Sequence, residues 1–270
     1  MMRFDLGDVY TIWLREFKRW TRSKSRIIGS LAQPILWLLL FGTAFDAMFS
    51  GGAASGGAGD VLGGEDLDFK SFFTPGIVAM TVLFGSIFAG IGLIFDREFG
   101  FLKEIMVAPV SRTSIVAGKG LGGATGAIIS GLVILVLATL IGARFTPDIP
   151  VALAAIIAVA TVVLISLAFV NMGIAFATRI QNFEGFQMVM NFLVMPMFFL
   201  SGAFYPVDVM PTGLQVATYV NPLFYGVDAL RHCFNGSAAA SLPLGLDLLV
   251  LAGFAVATTA VGVVLFRRME

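Results

Sequence analysis

The stretch VALAAIIAVATVVLISLAFVNMGIAFAT, residues 151–178, contains no acidic or basic side chain. A hydrocarbon layer about 30 Å thick is crossed by about 20 helical residues, so this stretch is long enough to span it. Its apolar residues are continuous instead of alternating, which favours a helix over a barrel strand. A helix also satisfies its backbone hydrogen bonds within itself where no water is present. The stretch therefore predicts a membrane-spanning helix.

Five further runs have the same character. The six predicted spans are residues 27–49, 74–95, 120–142, 151–178, 186–204 and 243–266. The whole chain is 58% hydrophobic and 13% charged, with a mean hydropathy of +0.93, whereas soluble domains are about half apolar and about a quarter charged. No polar stretch is long enough to bury a core of its own. We therefore predict an all-α, polytopic integral membrane protein with one transmembrane domain, residues 1–270.

The lysines and arginines predict the orientation. Of the 17 lysines and arginines, 14 lie before the first span, between the second and third, after the fourth or after the sixth. The exceptions are Lys70, Arg144 and Arg231. Positively charged loops are retained in the cytoplasm. We expect a multi-pass protein of the plasma membrane with both termini and residues 96–119 on the cytoplasmic side. A net charge of zero gives no reason to expect a nucleic acid partner.

Residues 1–26 carry an apolar stripe at helical spacing, with basic side chains opposite. The stripe comprises Leu6, Val9, Tyr10, Trp13, Phe17 and Trp20. Tryptophans on the apolar face of a basic helix are typical of a helix that lies among lipid headgroups. We predict an interfacial helix in contact with membrane lipid. The alternatives are a cleaved signal peptide and an ordinary basic tail.

Two segments between spans carry the functional predictions. In residues 96–118, Phe95, Phe99 and Leu102 recur at helical spacing and Pro109 ends the pattern. This short amphipathic helix could dock into a groove of a soluble partner or merely connect two spans. A small-residue ladder of Gly118, Gly122 and Gly126 follows and allows close approach of another helix.

The second segment, residues 205–235, is too polar to span and too apolar to lie free in water. It predicts short external helices that dip into or lie on the outer leaflet. Asn221 can cap a helix whose first residue is Pro222. Asp228 and Arg231 lie three residues apart on that helix and could pair.

Both segments resemble the type-2 family of ABC-transporter permeases, the exporter subunits for drugs, polysaccharides and lipid-linked glycans. The cytoplasmic segment is similar to the family's coupling helix, and Phe101 departs from it where a small polar residue is expected. The resemblance implies that these residues contact an ATPase: Arg97, Glu98, Phe99, Leu102, Lys103, Glu104, Pro109 and Arg112. The external segment is similar to the family signature, and the resemblance implies an external gate at Ser201, Gly202, Pro206, Asn221, Pro222, Asp228 and Arg231.

The resemblance further implies a permease subunit of an ATP-driven exporter. Two such chains, identical or related, would bind two copies of a separate ATPase, which holds Mg-ATP. Independently of the resemblance, the sequence lacks the phosphate-binding pattern Gly-x-x-x-x-Gly-Lys-Ser/Thr. The pair Gly118–Lys119 is followed by Gly120 and not by serine or threonine. We therefore expect no cofactor in this chain and no ATP hydrolysis by it.

The predicted cargo is an amphipathic drug, lipid or glycan. The spans contain almost no ionisable residues, unlike those of ion pumps. Polar, aromatic and methionine side chains suggest a path, although the same side chains could simply pack or face lipid. The predicted path residues are Gln33, Trp37, Asn191, Met195, Phe198 and Phe199.

Two other classes of function remain at this point. An intramembrane enzyme would need a nucleophile with a base, or a metal cluster, but His232 and Cys233 are adjacent on a helix and do not face each other. We expect no catalytic site and no metal site. A passive channel or membrane scaffold without an ATPase partner is the alternative function.

Overall fold

The computed structural model describes residues 5–50, 69–101, 107, 110–143 and 145–268. Within this part of the chain all regular structure is helical. The α-helices are α1 (Leu6–Arg22), α2 (Lys24–Ser50), α3 (Phe69–Glu98), α4 (Arg112–Leu140), α5 (Val151–Arg179), α6 (Phe183–Phe199), α7 (Thr212–Val220), α8 (Pro222–Asn235) and α9 (Leu244–Arg267). Short 3₁₀ helices at Val207–Val209 and Ser237–Ala239 flank α7 and α8. The all-α prediction is confirmed.

Five of the described helices are long and apolar enough to cross a membrane. They are Lys24–Gly42 within α2, Lys70–Glu98 within α3, and the whole of α4, α5 and α9. The helix at the predicted fifth span, α6, is apolar and has 17 residues. At 1.5 Å per residue it is about 25 Å long. The chain is thus a multi-pass membrane protein with five clear candidate spans and one shorter apolar helix.

Helix α3 occupies the centre of the bundle and packs against α2, α4, α5 and α8. Its side chains Phe72, Phe73, Ile77 and Leu83 are fully buried, as expected of a helix that is apolar on every side. It approaches α5 most closely at Gly90, where an added Cβ would lie 2.6 Å from the Gly173 carbonyl oxygen. The contact between α3 and α5 therefore requires a glycine.

The glycine ladder at the start of α4 packs against α1. A Cβ added at Gly118 would lie 2.7 Å from Ile12 Cβ, and one added at Gly122 would lie 2.4 Å from Glu16 Cβ. At the third step, Gly126 lies under the Trp20 ring. The predicted close approach is confirmed, and its partner is the N-terminal helix.

The bundle has two ends that differ in character. The first, named the basic end, holds the C-terminal ends of α3, α5 and α9 and the N-terminal end of α4. The second, named the α8 end, holds α7, α8, the corner after α6 and the 145–150 segment, which bonds to Phe234 through Thr146. Successive long helices run between these ends in alternating directions.

Helix α3 extends beyond the predicted span, residues 74–95. It includes Asp96, Arg97 and Glu98 and ends at a turn with Gly100 at φ 79°. Sequence hydropathy marks the first charged residue as a boundary. In the fold, Asp96 and Arg97 both find partners beside the helix and so remain part of it.

Candidate transport site

Asp96, at the end of α3, lies at the centre of a buried charge cluster. Its Oδ1 accepts hydrogen bonds from Arg19 Nη2 at 2.9 Å and Arg15 Nη2 at 3.4 Å, and its Oδ2 accepts one from Lys119 Nζ. The side chains of Asp96 and Lys119 are 3% and 6% exposed. Buried charges are stable only when paired, so this cluster joins the end of α3 to α1 and α4.

The neighbouring Arg97 joins α3 to a third helix. Its Nη1 donates to the Ile180 carbonyl at 3.1 Å and its Nη2 to the Ala177 carbonyl at 3.2 Å. The last carbonyls of a helix lack partners within it, and a cation there also offsets the helix dipole. Arg97 therefore caps the C-terminal end of α5.

Arg112 has a similar role at the start of α4. Its Nη1 donates to the Arg267 carbonyl at the end of α9 at 2.7 Å. Two basic residues of the predicted ATPase-contact set thus each bridge the ends of two helices. Their side chains hold the basic end of the bundle together.

The remaining members of that set divide in two. Glu98 and Phe99 are exposed, Phe99 by 71%, together with the neighbouring Phe101 and Val107. Leu102, Lys103, Glu104 and Pro109 lie outside the described residues. Phe99 and Phe101 come directly after the end of α3 at Glu98.

A cavity of about 550 Å³ lies between α1, α2, α3 and α4. Its walls are mostly apolar and include Met80, Phe84 and Phe88, with Gln33 among the polar side chains. Charged side chains line part of it: Glu16, Arg19, Arg26 and Lys119. Arg26 Nη2 donates to the Phe88 carbonyl at 3.2 Å. The cavity therefore combines an apolar wall with a charged region that holds three cations and one carboxylate.

The predicted path residues fall into three places. Gln33 lines the cavity. Trp37 lies in an aromatic cluster, with its ring centroid 5.8 Å from that of Phe204 and 6.5 Å from that of the buried Phe198. The remaining three lie on the exposed face of α6: Asn191, Met195 and Phe199.

The predicted gate residues come together at the α8 end, around Arg231. This side chain is 1% exposed, its Nη2 donates to the Gly202 carbonyl at 2.7 Å, and its guanidinium lies 4.3 Å from the centroid of the Phe72 ring. Nη1 lies 3.8 Å from Asp228 Oδ1, so the predicted pair is present as a loose ion pair. Gly202 has φ +72°, a conformation that favours glycine. Arg231 thus holds the corner that follows α6 against α8 and α3.

Asn221 makes a second connection between the same segments. Its Oδ1 accepts from the Leu223 amide at 3.0 Å, and its Nδ2 donates to the Met197 carbonyl at 2.5 Å. The predicted cap, with Pro222 as the first helical residue, is confirmed. Ser201 Oγ donates to the Phe198 carbonyl at 2.6 Å, and Pro206 precedes the first 3₁₀ helix.

The sequence did not identify the charge cluster at the basic end as part of a site. Hydropathy assigns no role to Asp96, and Lys119 is predicted only to be a basic residue on the cytoplasmic side. A usable signal was present, because Lys119 directly follows Gly118, at the start of the ladder where the close approach of another helix is predicted.

A family model described as ABC-2 type transporter matches residues 7–235. The chain belongs to this family. The match extends from α1 to the end of α8 and so includes the charge cluster, the cavity and the α8 end. The family resemblance stated from the coupling and external segments is confirmed.

Named relatives agree with this assignment. The chain is 27% identical to the transport permease ycf38 of Cyanophora paradoxa, over 98% of this chain and 90% of that protein. It is 28% identical to the inner membrane transport permease YadH of Escherichia coli K12, over 87% of this chain and 86% of that protein. It is 25% identical to nodulation protein J of Rhizobium leguminosarum, over 95% of this chain and 93% of that protein.

This ABC-2 permease is therefore a transmembrane component of a transporter, and the ATPase is a different component. Family membership implies an ATP-binding partner.

Proposed function

We propose that this chain is the permease subunit of an ATP-driven exporter in the plasma membrane. It crosses the bilayer six times, with the basic end in the cytoplasm, and moves an amphipathic drug, lipid or glycan outward. Two permease chains bind two copies of an ATPase that holds Mg-ATP. Family membership supports this function over a passive channel or scaffold, and the basic end has the side-chain charges that favour the cytoplasmic side.

Helix α6 is the proposed fifth span in chain order, and with it the number of spans is six. It runs from Phe183 at the basic end to Phe199 beside the Ser201–Gly202 corner at the α8 end. Its length of about 25 Å is close to that of the hydrocarbon layer. Its chain direction also fits the alternation of the helices on either side, α5 and α9.

The lining of the cavity supports the proposal that the cargo is amphipathic. Its apolar walls match a hydrocarbon or aromatic portion, while Gln33 and Arg26 offer partners for polar or anionic groups. Arg19 and Lys119 also line the cavity but are already paired with Asp96 and Glu16. Ligand sites in general combine a mainly apolar lining with a few polar groups that fix orientation.

The proposed coupling to the ATPase acts through the end of α3. The contacts made by this end are the main support for the proposed mechanism. Two successive residues, Asp96 and Arg97, tie this end to α1, α4 and α5. The exposed Phe99 follows directly. A movement of the ATPase that displaces the segment after Glu98 would therefore move three other helices through short, charge-assisted contacts.

The experiment is to reconstitute the permease with its cognate ATPase and to measure ATP hydrolysis with drugs, lipids and glycans added in turn. We expect at least one class to stimulate hydrolysis. The Phe99→Glu variant should co-purify with less than a tenth of the wild-type amount of ATPase, because it places a charge in the proposed contact.

The control is Arg268→Gln, which changes an exposed residue at the same end after α9. It should co-purify with the normal amount of ATPase. Full binding and stimulation in Phe99→Glu, or no stimulation of the wild type by any class, would contradict the proposal.

A further inference from the structure

Three potential metal ligands meet at the α8 end, between α8 and α9. They are Asp228, His232 and Asp247, and one ligand atom from each lies within 4.8 Å of the others. Asp228 and His232 are four residues apart on α8 and so share one face of that helix. Asp247 comes from the first turn of α9. The first two residues have a recognisable spacing in the sequence, but the third joins them only in the fold.

The carboxylate of Asp247 has no hydrogen-bond partner among the described residues. Its side chain is fully buried, and neither carboxylate oxygen accepts a hydrogen bond there. The nearest basic atom is His232 Nε2, at 3.9 Å from Oδ2, which is too far for a hydrogen bond. A buried carboxylate in this position is unfavourable unless a cation or a proton accompanies it.

The other two ligands are held in position by the 241–242 segment. Asp228 accepts hydrogen bonds from the Ser241 amide at 3.0 Å and the Leu242 amide at 2.9 Å. His232 Nε2 donates a hydrogen bond to the Leu242 carbonyl oxygen at 2.6 Å, which leaves the lone pair of Nδ1 for a metal ion. Backbone contacts of this kind orient metal ligands in many sites.

The charges of the cluster favour a cation. Asp228 and Asp247 contribute two carboxylates, and the only guanidinium paired with them among the described residues is that of Arg231, 3.8 Å from Asp228. Arg231 is also engaged with the Gly202 carbonyl. With a neutral imidazole at His232, the group retains one uncompensated negative charge.

We propose that Asp228, His232 and Asp247 bind one divalent transition-metal cation of the Zn²⁺ type, which ties α8 to α9 at the α8 end of the bundle. One imidazole and two carboxylates suit Zn²⁺ better than Mg²⁺ or Ca²⁺, which prefer oxygen ligands alone. Ligand atoms about 2.1 Å from a tetrahedral metal lie about 3.4 Å apart. Side-chain movement of about 1 Å therefore closes the cluster around the ion. This site is independent of the proposed exporter function.

The test measures metal directly on the purified full chain in detergent. Elemental analysis after purification without chelators should find about one transition-metal ion per chain. After removal of metal with EDTA, titration with Zn²⁺ should restore one ion per chain and raise the melting temperature by several degrees. Mg²⁺ and Ca²⁺ should bind at least tenfold more weakly.

Variants locate the ion. Asp247→Asn and His232→Gln should each weaken Zn²⁺ binding at least tenfold. Asp208→Asn, an exposed carboxylate at the same end, and Cys233→Ser, the buried neighbour of His232, should bind Zn²⁺ as the wild type does. The wild-type measurement does not depend on whether the variants fold.

Three results would overturn the site. The first is a wild-type chain that neither retains nor takes up a stoichiometric metal ion, which would mean that Asp247 carries a proton instead. The second is equal binding of Zn²⁺, Mg²⁺ and Ca²⁺. The third is unchanged Zn²⁺ binding in folded Asp247→Asn.

Discussion

At the scale of single residues, buried charges mark the places where helices are joined. Asp96 contacts basic side chains from α1 and α4, Arg97 caps α5, and Arg231 holds the corner at Gly202. Each of these contacts replaces hydration that the charge loses on burial. These directional contacts add to the packing of the spans in fixing the rotation of the helices relative to one another.

The Asp96→Asn variant tests the buried cluster. Removing the Asp96 carboxylate leaves Arg19 and Lys119 with Glu16 as their carboxylate partner among the described residues, so the unfolding free energy in detergent should fall by about 3 kcal/mol. The double variant Asp96→Asn with Lys119→Met should lose less than the sum of the two single changes, because it also removes one of the cations that Asp96 neutralises. Additive losses would show that the two side chains do not interact.

The role of a residue could be predicted from the sequence where its contact partner lies only a few residues away along the chain. The Asn221 cap, Pro222 at the first helical position and the Asp228–Arg231 pair depend on spacings of three residues or fewer. The partners of Asp96 and Arg97 lie 23 to 83 residues away. Such contacts depend on which faces of the helices meet, and hydropathy does not specify this.

At the scale of elements, helix contacts follow the distribution of glycine. The ladder at Gly118, Gly122 and Gly126 admits α1, and Gly90 meets Gly173 between α3 and α5. The sequence indicated a close approach at the ladder but not its partner, since many helices could supply one. Aromatic residues predicted for the lipid-facing stripe of α1 also contact α4, as Trp13 Nε1 donates to Thr125 Oγ1 at 2.9 Å.

The Gly122→Val variant tests the packing of α1 on α4. The added side chain would clash with Glu16, because even a Cβ would lie 2.4 Å from Glu16 Cβ. We expect α1 to separate from α4, a melting temperature several degrees lower, and faster trypsin cleavage at the basic residues of α1.

The matched control is Gly253→Val in α9, where an added Cβ meets nothing within 4 Å. It should change neither the melting temperature nor the cleavage rate appreciably. Equal behaviour of the two variants would mean that the ladder does not hold α1.

At the scale of the whole molecule, the exposed face of α6 carries polar as well as apolar side chains. Gln187 and Asn191 are exposed one turn apart among Met188, Phe192 and Met195. Polar side chains inside a membrane usually face protein or a water-filled path. A second permease chain over this face would provide that environment and would place Asn191 and Met195 between the two copies.

Cross-linking tests this arrangement in native membranes. In a Cys233→Ser background, Asn191→Cys should form a disulfide-linked dimer under mild oxidation, because the two copies of α6 would lie near each other. Val256→Cys, on the exposed face of α9, should stay monomeric. The reverse pattern would place the interface on α9 instead.

The most direct test of the account is the amount of cargo moved per ATP hydrolysed in proteoliposomes that contain the permease and its ATPase. Arg97→Gln removes the cap that links the end of α3 to α5. If ATPase movement reaches the bundle through this end, transport per ATP should fall about tenfold relative to the wild type. A ratio equal to that of the wild type, in a variant that transports, would contradict the coupling role of α3.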